Sequence, residues 1–138
     1  MTEKELTQLH YISKEIEILK NQLNELKARS IVKGHEITGM PFASGTSDKT
    51  ANRAVAIQEV EELYEIKLRE LCMVRERIEK YIDAVEDAEL RLILRLRCIN
   101  NMFWEDIGTE IGMDRRTASR KYYKFIKSEK VAHNAHEK

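Results

Sequence analysis

Residues that break helices are nearly confined to one stretch of this 138-residue chain. It has five glycines and one proline, and Gly34, Gly39, Pro41 and Gly45 fall between residues 34 and 45. Long helices are therefore expected on either side of that stretch. A charged fraction of 35% beside 42% hydrophobic residues suits long, solvated helices. The length allows one compact domain or a small domain with an extension. The expected fold class is all-α. A long antiparallel helical hairpin or coiled coil occupies residues 1–86, with a loop at 30–50. A trihelical helix-turn-helix domain follows at 87–130, and a frayed tail at 131–138.

Residues 3–29 read as one amphipathic helix. Leu9, Ile12, Ile16, Leu19, Leu23 and Leu26 recur at alternating steps of three and four, a heptad seam. Lys14, Glu15, Lys20, Asn21, Asn24 and Lys27 fall on the opposite face. A second long helix is expected over 49–85, with Ser47 or Asp48 as its N-cap. Its stripe is Val55, Val60, Leu63, Tyr64, Leu68, Leu71, Val74, Ile78 and Ile82, with Ile57, Ile66 and Tyr81 to one side. Neither stripe can stay exposed. An antiparallel hairpin is the simplest way to bury both, and a leftover stripe predicts self-association into a homo-oligomer.

From Asp87 the composition shifts. Residues 87–99 predict a helix ended by Asn100 and Asn101. Trp104–Ile111 reads as a short helix, Gly112 and Met113 as a tight turn, and Asp114 as the cap of a helix to about Lys130. This is helix-turn-helix spacing. Ile107 and Ile111 face inward, Gly108 stands where two helices cross, Gly112 is free to take positive φ, and Ala118 is small enough to be buried. Trp104 is expected to anchor the first helix in the core.

Charge supports a polyanion partner. Net charge is zero overall, but residues 1–86 carry −3 and residues 87–138 carry +3. Residues 115–130 hold seven bases and a single acid, Glu129. The residues expected to touch double-stranded DNA are Arg115, Arg116, Ser119, Arg120, Tyr123, Lys124 and Lys127. The first of these lie where a recognition helix meets base edges, and the two lysines lie where it meets phosphates. Gly-apolar turns also join helices in bundles that bind nothing, so the motif and the basic face carry the reading together.

Other chemistries find little footing. Cys72 and Cys98 lack metal-ligand spacing and read as two buried, reduced thiols. His10, His35, His133 and His136 are scattered. There is no Gly-rich phosphate cradle and no Cys/His metal pattern, so neither an enzyme, nor a cofactor, nor a metal, nor a small-molecule substrate is expected. No apolar run reaches membrane-spanning length and no signal peptide opens the chain, so the expectation is a cytoplasmic protein without a membrane partner.

Residues 87–127 resemble region four of bacterial sigma factors, through Glu105-Asp-Ile-Gly108 and Ile111-Gly-Met113. Most of the chain resembles the ArpU/RinA-like phage activators of late gene transcription. The marks are Gly39-Met-Pro41, Ser47-Asp-Lys-Thr-Ala-Asn52, Leu94-Arg-Leu-Arg97, Trp104-Glu-Asp-Ile107 and Arg116-Thr117. The resemblance implies a transcriptional regulator in a bacterial host cell that binds beside a promoter and contacts RNA polymerase. Lys121 departs from the pattern at a position usually apolar, so packing is expected to shift toward Tyr122, Phe125 and Ile126. Two other functions fit parts of the sequence. One is a small terminase-like packaging protein, although the DNA-binding unit comes first in such proteins and last here. The other is a coiled-coil adaptor with no DNA affinity.

Overall fold

Capping carboxylates begin two of the C-terminal helices, and a left-handed glycine ends another. The computed structural model describes residues 1–34 and 46–137, and among these it is all-helical. Helix α1 is Glu3–Gly34, α2 Thr46–Asp83, α3 Ala88–Leu94, α4 Trp104–Ile111 and α5 Arg115–His136. Residues Arg95–Ile99 continue α3 as a widened π turn. The Gly39-Met-Pro41 mark lies outside the described residues.

Several boundaries differ from expectation. Helix α1 continues to Gly34 and α2 begins at Thr46, so helix enters both ends of the expected 30–50 loop. Ser47 and Asp48 fall within the first turn of α2. Helix α5 continues through most of the expected tail, to His136. No proline or glycine follows Lys130 to stop it.

The described residues form two compact units, residues 1–12 with 71–138 and residues 13–70. Among the described residues, the buried apolar core lies in the first unit. It takes Leu6, Leu9 and Ile12 from α1, and Val74, Ile78 and Ile82 from α2. The remainder comes from Leu90, Ile93, Leu94, Leu96, Cys98, Ile107, Ala118, Tyr122 and Ile126. The support of the helix-turn-helix is thus larger than the expected 87–130. Two helices of seven and eight residues, a π turn and one longer helix bury little surface by themselves, and the ends of α1 and α2 complete the core. Tyr81 donates a hydrogen bond to Glu129 at 2.9 Å, and Lys130 lies 3.7 Å from Glu3.

The second unit is a pair of helical arms. Lys27 pairs with Glu61 at 3.0 Å and Glu15 with Lys67 at 2.9 Å. Partner numbers on α2 fall as those on α1 rise, so the arms run antiparallel. Ile16, Leu19, Leu23 and Leu26 are half-buried, as are Ile57, Val60, Tyr64 and Leu68. Val55 and Leu63, expected in the stripe, are exposed, and Ile57 takes the inner side instead. Stepping by three and four from Ile57 through Val60 and Tyr64 leaves Val55 and Leu63 off that line. Cys72 is also exposed, against the expectation of two buried thiols, because its neighbour Leu71 turns inward on α2; Cys98 is buried. No described helix is long and apolar enough to cross a membrane.

Candidate nucleic-acid interface

Two glycines make the turn between α4 and α5. Gly112 adopts the left-handed conformation, φ 76° and ψ 35°, which side chains with a Cβ disfavour. Its N–H and that of Met113 both donate to the Gly108 carbonyl at 2.9 Å, closing the end of α4. Gly108 is needed for another reason. A Cβ there would stand 2.6 Å from the Met113 carbonyl oxygen and 3.1 Å from the Arg115 nitrogen. Asp114 then caps α5, its carboxylate accepting from the Arg116 N–H at 3.2 Å. Ile107 and Ala118 are wholly buried where the helices meet.

The buried face of α5 is Ala118, Tyr122 and Ile126. At about 100° per residue, Arg116, Arg120, Tyr123, Lys124 and Lys127 share an arc roughly 100° wide on the other side. All five are exposed. Arg116, Arg120, Lys124 and Lys127 make no side-chain hydrogen bond or ion pair among the described residues. The other bases of the segment are engaged within the protein. Arg115 binds Glu105 at 2.5 Å, Lys121 binds Glu89 at 2.5 Å and Asp87 at 3.3 Å, and Lys130 reaches Glu3. Among the described residues, the cations of this segment left without a partner are therefore those on the outward arc.

Arg115 and Ser119 were expected on that arc, and the structure turns them toward the α4 side instead. The Glu105 carboxyl is held below the usual range by a backbone N–H and by Arg115. Ser119 is half-buried and its hydroxyl donates to the Arg116 carbonyl at 3.1 Å. Both residues lie about a quarter-turn to a third of a turn from the arc's centre, close to the buried face. Tyr123 is on the arc, but its ring also packs on Tyr122 and Trp104, with centroids 5.1 and 6.1 Å away.

Trp104 is half-buried at the rim of the core, where a buried anchor was expected. Tyr122 fills the deeper position and meets Trp104 edge-on at 5.3 Å. The Arg97 guanidinium lies 4.9 Å from the Trp104 ring centroid, and its Nη1 donates to the Met102 carbonyl at 2.8 Å. Packing around Lys121 shifts as expected, with Tyr122 and Ile126 buried and Phe125 half-buried. Its ammonium crosses to α3, where Glu89 and Asp87 raise its pKa.

Two participants escaped the sequence reading. Asp87 is the N-cap of α3, accepting from the N–H groups of Glu89 at 3.0 Å and Leu90 at 3.3 Å. An acidic residue at a composition change followed by a helical pattern was the available signal. Arg97 is the other. Its position depends on a π turn, closed by the Asn100 N–H donating to the Arg95 carbonyl at 3.0 Å, which regular helical periodicity does not reveal.

No family model, curated protein or solved structure matches the chain.

Proposed function

We propose that the chain is a sequence-specific DNA-binding transcriptional regulator, with α5 as the helix that enters the major groove. The observation that carries this reading is the arc of Arg116, Arg120, Lys124 and Lys127, cations with no partner among the described residues, on a helix held out by the Gly108–Gly112 turn. Unpaired cations on one face favour a polyanion. Arg116 and Arg120 occupy the first turns of the helix, where side chains reach base edges, and Lys124 and Lys127 follow where phosphates run.

The resemblance to ArpU/RinA-like activators supports a narrower version. In it the protein binds beside a late promoter in the cytoplasm of a bacterial host and recruits RNA polymerase. The half-buried seam of the 13–70 unit supports self-association, because Leu19, Leu23 and Leu26 retain exposed apolar surface in a single copy.

Selection of bound sequences from random duplexes, with the mass of the complex measured alongside, tests the reading. Enrichment of one motif bound by a small oligomer is the expected result. A ring-sized assembly would point to packaging, and no enrichment together with no salt-dependent affinity would leave a coiled-coil adaptor.

A further inference from the structure

Arg116 belongs to two surfaces. It lies on the outward arc of α5, and it also lines a recess of about 340 Å³ with Arg97, Phe103, Trp104, Glu105, Arg115 and Ser119. Three arginines and one acidic residue are among those that line the recess. Glu105 is paired with Arg115. Arg97 uses Nη1 on the Met102 carbonyl and holds its Cζ over the Trp104 ring, while its other N–H groups donate to nothing among the described residues. Arg116 is without a side-chain partner there as well. Two arginines with no ion-pair partner among the described residues thus line one small, open space. A tetrahedral oxyanion suits that arrangement, since guanidinium groups bind such oxygens through paired N–H donors.

We propose that this recess seats one phosphodiester of the bound duplex, and that Arg97 is a DNA-backbone contact. The inference rests on the reading of α5 as a DNA-binding helix and adds a residue outside it. A strand is favoured over a free phosphate by continuity. Arg116 joins the recess to Arg120, Lys124 and Lys127, so an anion held there lies in line with further cations, as a single phosphate cannot. The apolar wall fits as well. Phe103 is 71% exposed at the mouth of the recess and offers a flat surface to a deoxyribose. The cation–π contact with Trp104 and the bond to Met102 hold the Arg97 guanidinium before DNA arrives, which lowers the ordering cost of the contact. A backbone contact positions the protein without reading sequence, so Arg97 acts equally on cognate and unrelated duplexes.

The test measures binding of the full chain to a selected duplex and to a random one over a range of salt. Each phosphate contact contributes about one unit to the slope of log affinity against log salt. Arg97→Gln is expected to lower that slope by about one unit on both duplexes, and Arg97→Lys to restore most of it. Because Arg97 also packs on Trp104, a second measurement uses the unaltered protein. Its Arg97 Nε–H resonance is followed as duplex or inorganic phosphate is added. A shift that saturates with the duplex and is absent at equal concentrations of inorganic phosphate is expected. If the wild type binds duplex while the slope is unchanged in Arg97→Gln and the resonance does not move, the recess holds no strand and the inference fails alone. Saturation by inorganic phosphate but not by duplex overturns it in favour of a free-anion site. If the wild type binds no duplex at all, the reading of α5 falls and this inference with it.

Discussion

The α-carbon of Gly108 faces the carbonyl oxygen of Met113 so closely that a Cβ on Gly108 would stand 2.6 Å from it. The neighbour is backbone and belongs to the turn that aims α5, so a rotamer change cannot relieve the clash. Gly108→Ala is expected to destabilise the protein by about 1–3 kcal/mol through overpacking, in spite of alanine's better helix propensity. Urea unfolding measures this. An equal or higher midpoint would show that the turn can open without cost.

The outward arc makes a prediction with two distinct signatures. Arg116→Ala and Arg120→Ala should each weaken binding to the selected site by about 1–3 kcal/mol if the side chain reads a base. Lys127→Ala should weaken binding to all duplexes alike and lower the salt slope by about one unit. Titrations on selected and random duplexes separate the two effects. Unchanged cognate affinity in both arginine variants would remove the assignment of the reading face.

Asp87 gives a pH dependence. Its carboxyl is held below the usual 3.8, first by the Leu90 N–H and then by Lys121. A lowered folded pKa means that the unfolded chain takes up a proton first as pH falls. The stability Asp87 supplies is therefore fully present well above pH 3.8 and is lost as pH drops below it, through the lower folded value. Asp87→Ala should melt at a lower temperature than the wild type at neutral pH, and the gap should narrow in acid below that point. A gap independent of pH would show that the ionised carboxylate is not what caps α3.

Burial along α1 predicts a gradient. Leu9 is 6% exposed, whereas Leu23 is only half-buried. Leu9→Ala should cost about 2–5 kcal/mol, as large-to-small changes in a packed core do, and Leu23→Ala distinctly less in a single copy. Equal losses at low and high protein concentration alike would mean that the seam near Leu23 is covered as completely as the core around Leu9. A loss for Leu23→Ala that grows with protein concentration would favour a second copy there.

What could be read from the sequence was whatever depends on neighbours in the chain. Gly108, Gly112, Asp114 and Ala118 stand at fixed offsets in one motif, and each has the role its chemistry suggested. The α1 seam from Leu9 to Leu26 is also local, since a helix alone decides which residues share a face. Long-range partners were not legible. Nothing near Arg115 announces Glu105, ten residues earlier, and nothing near Lys121 announces Glu89, thirty-two residues earlier. These pairings decide which cations remain free, and so they trimmed the expected reading face from its α4 side. The α2 stripe was misread at Val55 and Leu63 because the apolar residues of that helix outnumber the places facing its neighbour. Arg97 was hidden because one widened turn shifts every later residue around the helix axis.

The most direct measurement of the central claim is the affinity of the full chain for duplexes enriched from a random pool, followed as salt is raised. One enriched motif is expected, with an affinity that falls steeply and linearly in log salt and a slope that the arginine and lysine variants of α5 reduce. An unenriched pool with weak, salt-insensitive binding would contradict it.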